Sequence, residues 1–353
     1  MNARHVMIMA GGTGGHIFPG LAVARVLVGR GVQVSWLGTP RGLENRIVPE
    51  AGIELETIQI GGLRGKGAIG WMTAPWRILK AMLQARRILR GRRPGCVLSM
   101  GGYVAGPGGL MARLMGIPLV IHEQNAIAGM TNRWLRPLAR KALTGFPDAL
   151  SNGEHCGNPV RADIAALTDP EKRFKARTGR LNVLVIGGSQ GSAAFTETVP
   201  RALALLPEDQ RPRVTHQAGR QFELTRTAYE QAGVDGEVVE FIDDMAAVWG
   251  RADVAICRAG ALTVAELAAA GVPAILVPFR MAVDDHQTAN ARYLTASHAA
   301  WLVPERDFGP EQLADRLKGL GREQLAAMAG RARALARPGA AERVADACME
   351  VAA

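Results

Sequence analysis

Cys257-Arg258-Ala259-Gly260-Ala261-Leu262-Thr263-Val264-Ala265-Glu266 follows an apolar run over 252–256 that only Asp253 interrupts. It leads into a helical pattern over 262–270 that stops at Gly271. The order is strand, tight glycine turn, helix N-terminus. The first N–H groups of a helix lack intrahelical acceptors and carry partial positive charge, so they bind phosphate or hydroxyl oxygens. Glu266, in the first turns of that helix, disfavours an anion but accepts hydrogen bonds from neutral donors such as the paired hydroxyls of a ribose. The stretch reads as half of a nucleotide-sugar site.

The same plan recurs along the chain. Val6-Met7-Ile8-Met9-Ala10 has a buried-strand pattern and runs into Gly11-Gly12-Thr13-Gly14-Gly15-His16, with a helix of small and apolar residues over 21–28. Residues 181–186 run into Gly187-Gly188-Ser189-Gln190-Gly191-Ser192 and another helix. A further short strand, 96–100, ends in a second glycine turn over 101–109. Strands at 32–37, 55–60, 117–122, 214–217, 238–241, 254–256 and 274–277 alternate with helical patterns, and a helical, Ala- and Arg-rich stretch runs from 308 to about 336. This alternation predicts an α/β protein of two similar domains. The expected boundaries are 1–158, 159–337 and a closing helical segment, 338–353, set off by Pro338-Gly339.

The glycines after the first strand are spaced GGTGGH rather than GxGxxG, and no acid ends a second strand about 20 residues on, so a dinucleotide reading is weak. His16 sits at the mouth of the loop. It reads either as a local cap or as a general base. Polar residues at a strand's carboxyl end, as in His122-Glu123-Gln124-Asn125, stand where ligands bind in α/β sheets, although local turn and cap bonds explain Glu123 and Gln124 equally well.

Composition narrows the chemistry. Apolar residues form 48% of the 353, enough for a core in each half. Cys96, Cys156, Cys257 and Cys348 are scattered without CxxC spacing, which predicts free thiols, no zinc and a reducing compartment. Asp284-Asp285-His286 is one short segment and unlike a full metal-ligand set; no GxSxG elbow is present, and no metal or cofactor is expected. The start of the chain lacks the apolar stretch of a signal peptide, and no run nears the ~18 residues needed to cross a bilayer, which points to the cytoplasm.

Net charge is +10, and from Thr57 to His122 there is no Asp or Glu. A helix expected from about Pro75 places Met72, Trp76, Leu79 and Leu83 on one face, flanked by Arg77 and Lys80. Such a stripe ordinarily packs on a core. In this acid-free setting it also suits a membrane interface, with Trp71 and Trp76 at headgroup level and the cations on anionic lipid.

Taken in order, GGTGGHIFPGLAVA, GGYVAGPGG, HEQNAIAGMTN, GNPVR, GGSQGS, FIDDM, CRAGALTVAELAAAGVPAILVPF and DDHQTANA resemble glycosyltransferase family 28, and within it the UDP-N-acetylglucosamine transferases of bacterial peptidoglycan synthesis. The resemblance covers nearly the whole chain. It implies a GT-B fold, α/β, with two Rossmann-like parallel-sheet domains facing a deep cleft, and a final helix that crosses back to the first domain. It implies a UDP-GlcNAc donor on the C-terminal domain. The acceptor, undecaprenyl-pyrophosphoryl-MurNAc-pentapeptide (lipid I), would meet the N-terminal domain at the cytoplasmic face of the inner membrane, where the protein would sit peripherally on anionic lipids.

Residue by residue, the resemblance puts Thr13, Gly14 and Gly15 at the diphosphates and makes His16 the catalytic base or the residue that orients it. It puts Asn125 on the sugar, Arg161 near the donor, Ser189 at the α-phosphate and the Ile242 backbone on the uracil. Ala261, Leu262, Thr263, Val264 and Ala265 lie near sugar and phosphates, Glu266 on the ribose hydroxyls and Gln287 on the sugar hydroxyls, while Tyr103 and Glu123 fall on the acceptor side. Departures from the family pattern are Ser192, Ala265 and Met281. Three rivals fit less well. A UDP-GlcNAc 2-epimerase of the same fold needs no lipid patch, a nicotinamide-dependent dehydrogenase needs a different glycine loop, and a non-enzymatic membrane or nucleic-acid module explains the charge but not the polar loops. No nucleic-acid partner is expected.

Overall fold

The computed structural model describes residues 5–61 and 67–352; the side chains of 67–72 and of residue 283 lie outside the description. The chain forms two compact units, Met1–Val160 with Gly339–Ala353, and Arg161–Pro338.

The first unit contains β1 (His5–Ala10), α1 (Gly14–Gly29), β2 (Gln33–Gly38), α2 (Glu44–Glu50), β3 (Glu54–Thr57), α3 (Gly67–Arg92), β4 (Cys96–Gly101), α4 (Ala105–Leu114), β5 (Leu119–Glu123), α5 (Met130–Leu135), β6 (Lys141–Thr144) and β7 (Glu154–His155). The second contains α6 (Ala162–Ala165), α7 (Pro170–Lys175), β8 (Asn182–Ile186), α8 (Ala193–Ala204), β9 (Arg213–Gln217), α9 (Phe222–Ala232), β10 (Glu237–Val239), α10 (Met245–Arg251), β11 (Val254–Cys257), α11 (Ala261–Ala270), β12 (Ala274–Leu276), α12 (His286–Thr295), β13 (Ala300–Leu302), α13 (Pro310–Lys318) and α14 (Arg322–Ala334). The last helix, α15 (Ala340–Val351), returns to the first unit.

The sheets run β3-β2-β1-β4-β5-β6-β7 and β10-β9-β8-β11-β12-β13. Every ladder is parallel. Strand order therefore reverses between β1 and β4, and again between β8 and β11. At such a switch the following connections diverge and leave a crevice at the carboxyl ends.

Parallel strands are covered on both faces, so their residues are apolar on both. In β1, Val6, Ile8 and Ala10 pack with Ile17, Leu21 and Leu27 of α1 and Val344 and Cys348 of α15. Met7 and Met9 face Ala81, Ala85 and Leu89 of α3 and Met111 of α4. In the second unit, Val183, Val185 and Ile256 pack with Phe195 and Val199 of α8 and Leu313 and Leu317 of α13. α15 also carries ion pairs, Arg30–Asp346 at 2.6 Å and Arg343–Glu154 at 2.5 Å, but these are partly exposed and contribute little beside the packing.

Several elements differ from the sequence expectation. α1 starts at Gly14 instead of 21, with Pro19 inside it, because the glycines that read as loop are its first turn. α3 starts at Gly67, eight residues before Pro75, and carries that proline internally. The single helix expected after 308 is split at Gly319–Gly321 into α13 and α14. The strand expected at 238–241 ends at Val239, and Phe241 is exposed.

Candidate functional site

At the first switch point, Thr13 caps α1 with extended backbone (φ −125°, ψ 151°), yet its side chain makes no capping bond. Thr13 Oγ1 lies instead 3.2 Å from His16 Nδ1. The N–H groups of Gly14 and Gly15 fall in the first turn, where no intrahelical acceptor exists. The earlier start of α1 thus makes His16 part of its first turn. The ring points to the β4 turn: a Cβ on Gly101 would stand 3.2 Å from both Nε2 and Cδ2. Gly102 has φ +82°, and a Cβ there would meet Gly11 O at 2.6 Å. The two glycine turns therefore touch backbone to backbone, an approach that only glycine allows.

Glu44, which the sequence reading did not single out, supports the β1 turn from below. Fully buried, it accepts from Gly12 N (3.2 Å), Thr39 N (2.9 Å) and Thr39 Oγ1 (2.7 Å). A buried carboxylate is tolerated when charge-assisted donors surround it, and here they fasten the β1 turn to the end of β2. Only an acid next to a loop signals this in sequence, and such acids are common.

At the end of β5, Glu123 is buried and builds its own loop. Oε1 accepts from Asn125 N at 3.0 Å and Asn125 Nδ2 at 3.4 Å; Oε2 accepts from Gly129 N at 3.1 Å and Asn132 Nδ2 at 3.0 Å. Asn125 is thereby held half-buried at the carboxyl edge. His122 donates from Nε2 to Gly157 O at 3.0 Å, its Nδ1 receives Gln124 Nε2 at 3.0 Å, and burial pushes its pKa down to about 4. Tyr103 is exposed beside the β4 turn.

The second unit repeats the arrangement. Ser189 is exposed in the loop after β8, where Gly188 N donates to Gln217 Oε1 at 3.0 Å. Gly260 caps α11, so the unpaired first-turn amides are those of Ala261, Leu262 and Thr263; Val264 is buried and Ala265 half-buried. Glu266 reaches solvent in part, but its carboxyl is desolvated. Burial pushes its pKa up to about 7, against the pull of Arg161 and of a bond from Trp249 Nε1 at 3.2 Å. Arg161 caps α6, Ile242 is half-buried after β10, and Gln287, in the first turn of α12, accepts from Phe279 N at 2.9 Å. Ser189, Ile242, Ala261 to Glu266 and Gln287 thus follow the carboxyl ends of β8, β10, β11 and β12.

The stripe on α3 does not pack on the core. Trp76 is 71% exposed, and Leu79 and Leu83 are exposed with it. The buried face of the helix is Ala74, Ala81, Ala85 and Leu89. Arg77 is half-buried, and Lys80 donates to Gln59 Oε1 at 3.1 Å. Trp71 and Met72 lie outside the described side chains. Two apolar side chains of α5 escaped the sequence reading, Met130 and Trp134, the latter 75% exposed. The signal was available: between Thr57 and Asp148 the only acid is Glu123, whose carboxylate is buried. Among the described residues no helix is long and apolar enough to cross a membrane.

Comparison with known proteins agrees with this geometry. Residues 6–144 match the glycosyltransferase family 28 N-terminal domain, and 182–347 the glycosyltransferase family 28 C-terminal domain. The UDP-N-acetylglucosamine–N-acetylmuramyl-(pentapeptide) pyrophosphoryl-undecaprenol N-acetylglucosamine transferase of Bordetella petrii is 55% identical over 100% of this chain and 99% of its own length. That of Ralstonia nicotianae is 54% identical over 99% and 97%. The crystal structure of Acinetobacter baumannii MurG superposes with a TM-score of 0.86 at 42% identity, covering 98% of this chain and 99% of that one. Two doubly wound units with glycine turns at both switch points, matched over the full length, have one explanation: the chain belongs to glycosyltransferase family 28, with the GT-B type of paired Rossmann-like domains.

Proposed function

We propose that the protein transfers GlcNAc from UDP-GlcNAc to the C4 hydroxyl of MurNAc in undecaprenyl-pyrophosphoryl-MurNAc-pentapeptide, with inversion, converting lipid I to lipid II for peptidoglycan. The observation that carries this reading is full-length kinship to transferases named for that reaction. The residues present suit the chemistry.

The C4 oxygen attacks the anomeric carbon as the bond from that carbon to the β-phosphate oxygen breaks. UDP leaves with the electron pair, and the hydroxyl proton goes to a base. His16 is the base in this reading: Thr13 Oγ1, 3.2 Å from Nδ1, orients the ring, and the tautomer with the proton on Nδ1 is the one whose Nε2 would take the proton. The departing charge is met by helix N-terminal amides, by Ser189 and by Arg161, a form of stabilisation that is strong in a water-poor site. In the N-terminal unit, Thr13, Gly14 and Gly15 take diphosphate oxygens, Asn125 the donor sugar, and Tyr103 the acceptor. In the C-terminal unit, Glu266 accepts from the ribose hydroxyls, Gln287 binds the sugar and the Ile242 backbone reads the uracil. Glu123 acts through Asn125, because its own oxygens are taken up by the loop it builds.

A polyprenyl acceptor stays in the bilayer, so the enzyme works at the inner face of the cell membrane as a peripheral protein. The exposed stripe on α3, with Arg77 and Lys80 and with Met130 and Trp134 on α5, supports docking to anionic lipid, where each basic residue near the surface contributes about 1 kcal/mol. The test is incubation with UDP-GlcNAc and a soluble lipid I analogue. Release of UDP with formation of a β-linked GlcNAc-MurNAc product is expected. Release of free N-acetylmannosamine or its nucleotide, without transfer, would favour the epimerase reading instead.

A further inference from the structure

Arg258 follows the last residue of β11 and is turned inward, its side chain 17% exposed. Nη1 donates to Val277 O at 3.2 Å and Pro278 O at 3.4 Å. Nη2 donates to Ser192 Oγ at 3.0 Å and to Glu305 Oε1 at 2.6 Å. The guanidinium carbon also lies 4.9 Å from the centre of the Phe195 ring and 5.3 Å from that of Phe279. Glu305 completes the link, since its Oε2 accepts from Arg280 N at 3.2 Å. Burial pushes the Glu305 carboxyl up, but the bonds from Arg258 and from Arg280 N prevail and hold it below its ordinary value.

These contacts tie together three loops at the carboxyl edge of one sheet. Ser192 caps α8 and ends the glycine loop that carries Ser189. Residues 277–280 begin the loop after β12, and in that loop Phe279 N is held by Gln287 Oε1 at 2.9 Å. Glu305 follows β13. Arg258 has both Nη groups engaged, aromatic rings close by and its charge paired with Glu305, so it is not arranged as a phosphate ligand. It is arranged as a spacer.

We propose that Arg258 is a positioning residue for the donor, fixing the β8 loop with Ser189 against the β12 loop with Gln287 so that one nucleotide sugar engages both. The proposal rests on the reading of the C-terminal unit as the donor site. Lysine cannot replace the arginine, because a single ammonium lacks the planar fork that serves several acceptors at once and the flat face that stacks on rings.

The test compares Arg258→Lys and Glu305→Gln with the wild-type protein, measuring steady-state kinetics with UDP-GlcNAc and a soluble lipid I analogue, calorimetric binding of UDP-GlcNAc and of UDP, and thermal melting. Arg258→Lys should raise KM for UDP-GlcNAc about tenfold or more, within the ~10²-fold that a 1 Å misplacement can cost. KM for the acceptor should stay unchanged. Affinity for UDP-GlcNAc should fall more than affinity for UDP, which never reaches the sugar loop. Glu305→Gln should move the same quantities in the same direction, and the double variant should lose less than the sum, as residues of one network do. A lower melting temperature with unchanged donor KM would overturn the proposal, as would equal rises in donor and acceptor KM. If Arg258→Lys does not fold, the Glu305→Gln result decides. Wild-type protein that fails to bind UDP-GlcNAc would overturn the donor assignment itself, and the proposal with it.

Discussion

The indole N–H of Trp249 donates to Glu266 Oε2 at 3.2 Å, joining α10 to α11. The bond orients a carboxyl that burial pushes up to about 7. An acid whose folded pKa is raised contributes stability that is fully present below its unfolded value, near 4.5, and is lost as pH rises through 7. Glu266→Gln should remove that slope. Its melting temperature relative to wild type should rise from pH 5 to pH 8, and a difference independent of pH would refute the assignment. The ionised form is also the stronger acceptor for ribose hydroxyls. Donor KM in the wild type should therefore fall as pH rises through about 7, while the Gln variant shows a high, flat KM and little change toward the acceptor.

His16, held by Thr13 Oγ1 at 3.2 Å, is the proposed base. His16→Ala should lower kcat by ~10²–10⁴-fold, the usual worth of a positioned general base, with donor affinity largely kept. Single-turnover rates would measure this directly. A loss below about tenfold in a folded variant would remove His16 from the role.

The exposed apolar side chains of α3 and α5 give a test of docking. Wild-type protein should sediment with anionic vesicles at low salt and much less with neutral ones, because surface attraction is screened within about 10 Å at 0.1 M salt. Trp76→Asp and Trp134→Asp should each weaken sedimentation without changing the melting temperature, since both side chains are in solvent. Binding indifferent to lipid charge and to both substitutions would rule these side chains out as the docking surface.

Gly102 and Gly12 separate steric from conformational cost. Both have positive φ, +82° and +93°. A methyl group at Gly102 meets Gly11 O at 2.6 Å, whereas one at Gly12 meets nothing within 4 Å. Gly12→Ala should cost about 1–2 kcal/mol, the penalty of a left-handed residue. Gly102→Ala should cost more and also reduce turnover, because relieving the clash moves the β1 turn that carries Thr13 and His16. Denaturant melts of the two variants, read beside kcat, check the difference.

Much of this was legible in the sequence because strand–turn–helix units are local. Val6 to Ala10 announces a buried strand, the glycines after it a close backbone approach, and Gly271, at φ +59°, the end of α11. The helix starts were misread where glycine and proline occupy the first turns, as at Gly14 to Gly20, because propensity disfavours a helix whose Gly20 packs on Ile8 and Trp36. The α3 stripe has the periodicity of a core-facing helix. Only in the folded chain do the small residues Ala74, Ala81 and Ala85 face inward, where the helix lies close to α4 and the sheet, leaving Trp76, Leu79 and Leu83 outside.

The sequence by itself determined the repeated α/β plan, the glycine turns, the free cysteines and the family, since each is written in contiguous residues or in their order. Tertiary structure alone decided which distant side chains meet: Glu44 under Gly12, Trp249 on Glu266, Arg258 among Ser192, Val277 and Glu305. The physical reason is that parallel strands bring together residues separated by whole helices. Desolvation and hydrogen-bond partners, which set the charge of Glu266 and the direction of Arg258, then depend on neighbours that no local window contains.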